Sequence, residues 1–173
     1  MKLIVTGATG FVGTEVIRQA LRNPAVTSVV ALTRKPIQPS NTGTTKLQSV
    51  VLEDWTSPYP EASKTPPALA DYLLMRGRVE NVILDFAKNT PDIQVTVTKP
   101  GGIDSPNRPI RATASPAMQA IYVKFADTPI MHVSELAAAM IDQCLNGITK
   151  DPLWAKDIMD IGKRVLGEED YLR

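Results

Sequence analysis

The first fourteen residues, MKLIVTGATGFVGT, constrain this chain more than any other stretch. Lys2 to Thr6 is a short apolar run of the buried-strand kind, and it stops at Gly7. Gly7, Gly10 and Gly13 follow at intervals of three, after which Val12, Val16, Ile17, Ala20 and Leu21 share one helical face. The order is strand, glycine turn, helix. In that context each glycine has an expected role. Gly7 turns the chain sharply, Gly10 keeps a side chain out of the path of an approaching pyrophosphate, and Gly13 lets the helix lie close on the strand. Backbone N–H groups around Phe11 and Val12, at the positive end of the helix dipole, are then expected to face the phosphates. The alternative is a tight strand-to-helix connection that binds nothing.

Thr6-Gly7-Ala8-Thr9-Gly10-Phe11-Val12-Gly13 resembles the TGxxGxxG opening of extended and atypical short-chain dehydrogenase/reductases, including the NmrA-like and nucleoside-sugar-epimerase-like proteins. The resemblance covers roughly the first third of the chain and resumes from about Ala70 to Ile103. It implies an α/β fold, a Rossmann-like parallel sheet with flanking helices, shortened here to about four core strands. It also implies an oxidoreductase that binds NAD(P) through Thr6, Gly7, Gly10, Phe11, Val12 and Gly13.

Further positions refine that expectation. Asn23-Pro24 ends the first helix, and Thr27 to Thr33 reads as a second buried strand. An acidic residue at its tip would bind the ribose 2′-hydroxyl of NAD, whereas Arg34 and Lys35 suit the 2′-phosphate of NADP. Both also fit an ordinary basic surface turn. Leu47 to Leu52 is the third strand, and the resemblance places Asp54 near the adenine, with a solvated acidic turn as the alternative. From Pro67 to about Lys88, Leu69, Leu73, Val79, Ile83 and Phe86 repeat at helical spacing as one apolar stripe, with Tyr72 and Arg76 on or beside it. Ile93 to Thr98 reads as a fourth strand, ending in Lys99-Pro100-Gly101-Gly102, where Pro100, Gly101 and Gly102 suit a loop on the nicotinamide side.

Tyr72 and Arg76 match the Tyr-x-x-x-Lys positions of the family, where the Tyr is the proton donor and the Lys lowers its pKa and holds the ribose. Arg76 keeps the charge, but its planar head does not superpose on an ammonium, and the pair equally suits a buried tyrosine beside an arginine whose stem lies along the apolar face. A second departure is larger. Only about 14 residues separate the third strand from the Tyr72 helix, where the family carries a helix, two more strands and a hydroxyl-bearing catalytic residue. A crossover through the long helix would bring Ile93–Thr98 beside the first strand, in the order 3-2-1-4. If it does not, one edge of the first strand is left for a homo-oligomer or a protein partner to cover.

The second half is read from capping and periodicity. Ser134 is expected to cap a helix whose face is Leu136, Ala137, Met140, Ile141, Cys144 and Leu145, with Gly147 at its end. A last helix from about Pro152 to Val165 would turn Trp154, Ile158, Ile161 and Val165 inward. Between them, Ile103 to Pro129 carries four prolines and one apolar cluster, Ile121–Phe125, which suits a strand or a pocket edge.

At 173 residues one domain is expected. Nineteen Lys and Arg against 18 Asp and Glu argue against nucleic acid or an anionic membrane as partner. No apolar run approaches the roughly 20 residues of a membrane span, and Gly7 and Gly10 interrupt the first run too early for a signal peptide. The one cysteine, Cys144, reads as a core residue in a reducing compartment, hence a cytoplasmic protein, and no metal is expected. Three functions fit: an NADP-dependent oxidoreductase on a small organic substrate, with NAD the lesser cofactor; a non-catalytic NADP-binding redox-sensing regulator; and a shortened, inactive product.

Overall fold

The fold, taken from a computed structural model, is described over residues 1–33, 36–37, 45–51, 69–105 and 129–167, with side chains throughout except at positions 69–73, 75 and 76. The chain begins β1 (Lys2–Thr6), α1 (Phe11–Arg22), β2 (Ser28–Thr33) and β3 (Leu47–Val51). The three strands form a parallel sheet in which β2 is central, with Leu3 opposite Val29 and Val29 opposite Leu47. Strand alternation sends Leu3, Val5, Val29 and Ala31 to one face. There they pack with Val16, Ile17 and Ala20 of α1 into a buried cluster. α1 stops where Asn23 Oδ1 accepts a hydrogen bond from the Ala25 N–H at 2.9 Å, a side-chain turn that replaces the next helical bond.

The next elements are α2 (Leu69–Lys88), β4 (Thr98–Lys99), β5 (Gly102–Asp104), β6 (Ile130–His132), α3 (Val133–Asn146), β7 (Leu153–Trp154) and α4 (Ala155–Leu166). α3 lies across α1, adding Ala137 and Ile141 to the first cluster. Its opposite side, Leu136 and Ala139, packs with Met131, Leu153, Ala155 and Ile158 in a second. Val12 and Met140 touch both, so the two clusters are one continuous core. α4 reaches α3 at Gly162, where a Cβ would lie 2.6 Å from the Glu135 Cα.

Several expectations are corrected here. Thr98 does not extend a strand beside β1, and no four-stranded sheet is formed among the described residues. Instead Thr98–Lys99 pairs in parallel with Leu153–Trp154, and Gly102–Asp104 with Ile130–His132. The reason lies in the backbone: the Val97 N–H donates to Asp151 Oδ1 at 3.0 Å and the Val97 carbonyl accepts from Leu153 N at 2.9 Å, so the segment is committed to residues 151–153. β1 keeps no described neighbour on the edge away from β2.

The cap of α3 is His132, not Ser134. Its Nδ1 accepts from the Ser134 N–H at 3.3 Å and lies 2.6 Å from the Ser134 hydroxyl, while Glu135 Oε2 accepts from the His132 N–H at 2.8 Å. The last helix buries Ile158 but leaves Trp154 and Val165 exposed. Trp154 precedes the helix, and its N–H donates to Asp157 Oδ2 at 3.1 Å. Cys144 is exposed as well. Finally, Val79, Ile83 and Phe86 of α2 face solvent. The half-buried side of that helix is Gly77, Glu80, Leu84 and Ala87, and Glu80 pairs with Lys99 at 2.9 Å. The Ile121–Phe125 cluster lies outside the described residues.

Candidate functional site

Gly7 leaves β1 with φ +64°, a backbone conformation that favours glycine, so the turn follows directly from the sequence. The Gly10 N–H then donates to the Gly7 carbonyl at 2.8 Å, closing the loop. Gly13 carries the close approach: a Cβ there would lie 2.3 Å from the Gly7 carbonyl oxygen and 3.0 Å from the Ala8 Cα. Gly10 is tight rather than forbidding, since its Cβ would meet the Gly7 oxygen at 3.1 Å. Thr14, which the motif does not single out, locks the arrangement by donating its hydroxyl to the Gly10 carbonyl at 2.8 Å. Its place four residues after Gly10 is the signal that reveals it.

Gly10 is also the N-cap of α1, and it has no side chain to bond the first turn, which holds no acidic residue. The dipole of a 12-residue helix is thus directed at the turn without a carboxylate to oppose an anion. Lower on α1, Glu15 accepts from Arg18 at 2.7 and 2.6 Å and from Gln19 at 2.8 Å, and the Gln19 amide also donates to the Ser134 carbonyl at 3.0 Å. Burial alone would raise the Glu15 pKa. The hydrogen bonds from Arg18 and Gln19, with the Arg18 and His132 charges, outweigh it and hold the carboxyl below its ordinary value.

The turn forms one end of a cavity of about 400 Å³ that runs along the open edge of β1. Leu3 to Thr6 make its floor, Val12 and Val16 of α1 one wall, and Met140, Ile141 and Cys144 of α3 the other. It is an apolar trough with the glycine turn at its head. Ile4, whose side chain alternates to the other face of the strand, is 62% exposed. Partial burial pushes the Cys144 thiol up from its ordinary value. The sequence reading missed Met140, Ile141 and Cys144 as lining residues, because their helical spacing marks a buried face and carries no sign that β1 would leave it open.

The other predicted residues do not gather here. Thr6, Gly7, Gly10, Val12 and Gly13 line the cavity, and Phe11 opens α1 beside them. Pro100 and Gly101 connect β4 to β5, Gly102 starts β5 with its N–H donating to the Pro129 carbonyl at 3.1 Å, and none of the three lines the cavity. Tyr72 and Arg76 lie on α2, but their side chains fall outside the described residues, as do Arg34, Lys35 and Asp54 entirely. Among the described residues there is no group of three His, Cys, Asp or Glu able to hold a metal ion, and no helix long and apolar enough to cross a membrane. No protein-family model matches the chain, and no curated protein matches its sequence.

Proposed function

We propose that this chain binds NADP through its glycine turn, in the manner of short-chain dehydrogenase/reductases with a shortened Rossmann-like sheet, and acts as a reductase of a small organic substrate. The observation that carries the reading is the turn itself. A strand leads into a positive-φ glycine, a third glycine sits where no Cβ fits, and an uncapped helix N-terminus opens onto an apolar trough. The pyrophosphate would lie against Gly7, Gly10 and the first turn of α1. Arg34 and Lys35 would hold the 2′-phosphate, Asp54 would approach the adenine, and Pro100 to Gly102 would flank the nicotinamide. NADPH supplies the hydride when bound. Tyr72 is assigned as proton donor and Arg76 as its cationic support. The protein is placed in the cytoplasm, where a lone thiol stays reduced.

A second reading, a non-catalytic NADP-binding regulator, is favoured by the replacement of the family's Lys by Arg76 together with the short connection before α2, which leaves no position for the hydroxyl that would hold the substrate oxygen.

Ligand-induced thermal stabilisation tests the binding. NADPH should raise the melting temperature, and Gly10→Ala should remove most of that rise while asking the fold for only a few tenths of an ångström at the Gly7 oxygen. NADPH should outbind NADH, with a difference of roughly 1.5 to 3 kcal/mol per charge-assisted contact that collapses in Arg34→Ala/Lys35→Ala. Equal affinities for the two cofactors, or no stabilisation at all, would refute the cofactor assignment. Single-turnover oxidation of bound NADPH by quinones, ketones and aldehydes then separates the two readings. A rate lowered about 100- to 10,000-fold by Tyr72→Phe establishes the reductase, and no oxidation of tightly bound NADPH establishes the regulator.

A further inference from the structure

The open edge of β1 and the apolar trough beside it together leave room for one further strand. The Met1 carbonyl accepts from the Thr27 N–H at 2.8 Å, so the backbone of Met1 faces β2. With a strand period of two, the backbone groups of Leu3 and Val5 face β2 as well, and those of Lys2, Ile4 and Thr6 face the open edge. None of these outward backbone groups has a hydrogen-bond partner among the described residues. We propose that an extended peptide with a free C-terminus adds here as a fourth strand, parallel to β1, with its terminal carboxylate at the glycine turn. The inference does not depend on cofactor binding.

Hydrogen bonding, shape and charge select that occupant and that direction. The edge offers donors and acceptors along its length, which another backbone matches, whereas an aliphatic ligand would cover them unpaired at a cost. Leu3 and Val5 send their side chains to the α1 face. Peptide residues level with them therefore point into the trough, against Met140, Ile141 and Cys144 of α3, and the residue level with Ile4 lies beside that exposed side chain on the other face. Apolar β-branched residues at alternate positions fit this pattern. Charge sets the direction. β1 runs towards Gly7, so a parallel peptide ends at the head of the trough, where the positive end of the α1 dipole has no acidic residue in its first turn. An antiparallel peptide would bring its ammonium group there instead.

The register follows from the ladder. Five peptide residues match the 5 residues of β1. In a parallel pair the Ile4 N–H donates to the carbonyl of the peptide residue level with Leu3, and the Ile4 carbonyl accepts from the N–H of the residue level with Val5. The peptide N–H between those two points away from β1. Parallel pairing also continues the sheet, in which β2 is parallel to both of its neighbours.

Fluorescence anisotropy of a labelled pentapeptide tests the proposal. The probe carries valine at its second and fourth positions, threonine elsewhere and a free C-terminal carboxylate, and the full chain is titrated into it up to roughly 500 µM. Binding should saturate in the micromolar range. Amidating the C-terminus, moving the valines to the first, third and fifth positions, or N-methylating the fourth residue should each weaken it by about tenfold or more, and N-methylating the third should not. Cys144→Glu, at an exposed position on the trough wall, should weaken it by about tenfold with its circular dichroism unchanged. No binding over that range would overturn the proposal. So would binding indifferent to N-methylation of the fourth residue, which would make the trough a site for apolar ligands without strand pairing, or binding indifferent to Cys144→Glu, which would lie elsewhere. A dimer in sedimentation that excludes the probe would give the edge to a second copy and overturn it too.

Discussion

Replacing Gly13 with alanine adds one methyl group, and the structure fixes where it goes: 2.3 Å from the Gly7 carbonyl oxygen, 2.9 Å from the Gly7 carbon and 3.0 Å from the Ala8 Cα. Ordinary contact begins at 3.4 Å, so α1 must move about 1 Å from the turn, and every atom in the way is backbone. Overpacking of this kind costs about 1–3 kcal/mol. Against it stands the gain in helix propensity from Gly to Ala, about 0.8–1 kcal/mol in a helix interior and less in the first turn, where Gly13 lies. The net loss should therefore be about 1–2 kcal/mol. For a chain of this length that lowers the melting temperature by about 2–8 °C. Gly77→Ala supplies the control. It is the same change, also inside a helix, but its Cβ meets nothing within 4 Å. Propensity then acts alone, and Gly77→Ala should stabilise by up to about 1 kcal/mol. Urea unfolding followed by far-ultraviolet circular dichroism measures both. A Gly13→Ala protein as stable as the parent, or both substitutions shifting stability in the same direction, would show that the turn adjusts freely and that the close approach is not what requires glycine.

Ile158 is fully buried between α3 and α4, so Ile158→Ala should cost about 2–5 kcal/mol in the same assay, and a loss under about 1 kcal/mol would show that the second cluster is loosely packed. Glu15 gives a pH dependence. Its folded pKa lies below the unfolded value of about 4.3, so its contribution is fully present above that pH and disappears as pH falls through the lowered folded value. Glu15→Gln should therefore lose stability at pH 7 and flatten the decline below about pH 4.3, as followed by thermal melts across that range. An unchanged acid limb would remove Glu15 from the account.

The parts of this fold that were legible are the local ones. The glycine turn, α1 with its stop at Asn23, the first three strands and the helices over residues 69–88 and 133–146 all follow from periodicity, turn chemistry and caps within about a dozen residues of one another. What each element faces depends on distant residues. Ile93, Val95 and Val97 alternate well enough to suit any sheet edge, and the choice was made by Asp151 and Leu153, more than fifty residues away. The stripe on α2 identified a helix correctly but not the direction it points. Periodicity reports that a face is apolar and does not say whether the same chain covers it. Trp154 shows the same limit at one residue: Asp157, three residues later, accepts its backbone N–H and fixes the helix start, and the indole is left outside over Lys99 at 5.4 Å.

Two of the corrections share one physical origin. The open edge of β1 is where Ile93–Thr98 was expected, and because that segment binds residues 151–153 instead, Leu3 to Thr6 meet the α3 wall only across a trough. Cys144 becomes accessible for that reason, and the glycine turn gains a cavity at its side that a fourth strand would have filled. The exposed α2 stripe has a separate origin, since no described element packs extensively on that helix. A chain of this construction therefore presents two different unfinished surfaces. The trough is concave, has Gly7, Gly10 and the N-terminus of α1 at its head, and suits a ligand with an anionic end. The α2 face carries exposed Val79, Val82, Ile83 and Phe86, with exposed Arg78 and Asp85 beside them. Because the residues of the two surfaces are disjoint, Val82→Glu should leave NADPH-induced stabilisation as it is in the parent, as thermal melts would show. Coupling between them would require α2 to be held against the sheet by contacts beyond Glu80 and Lys99.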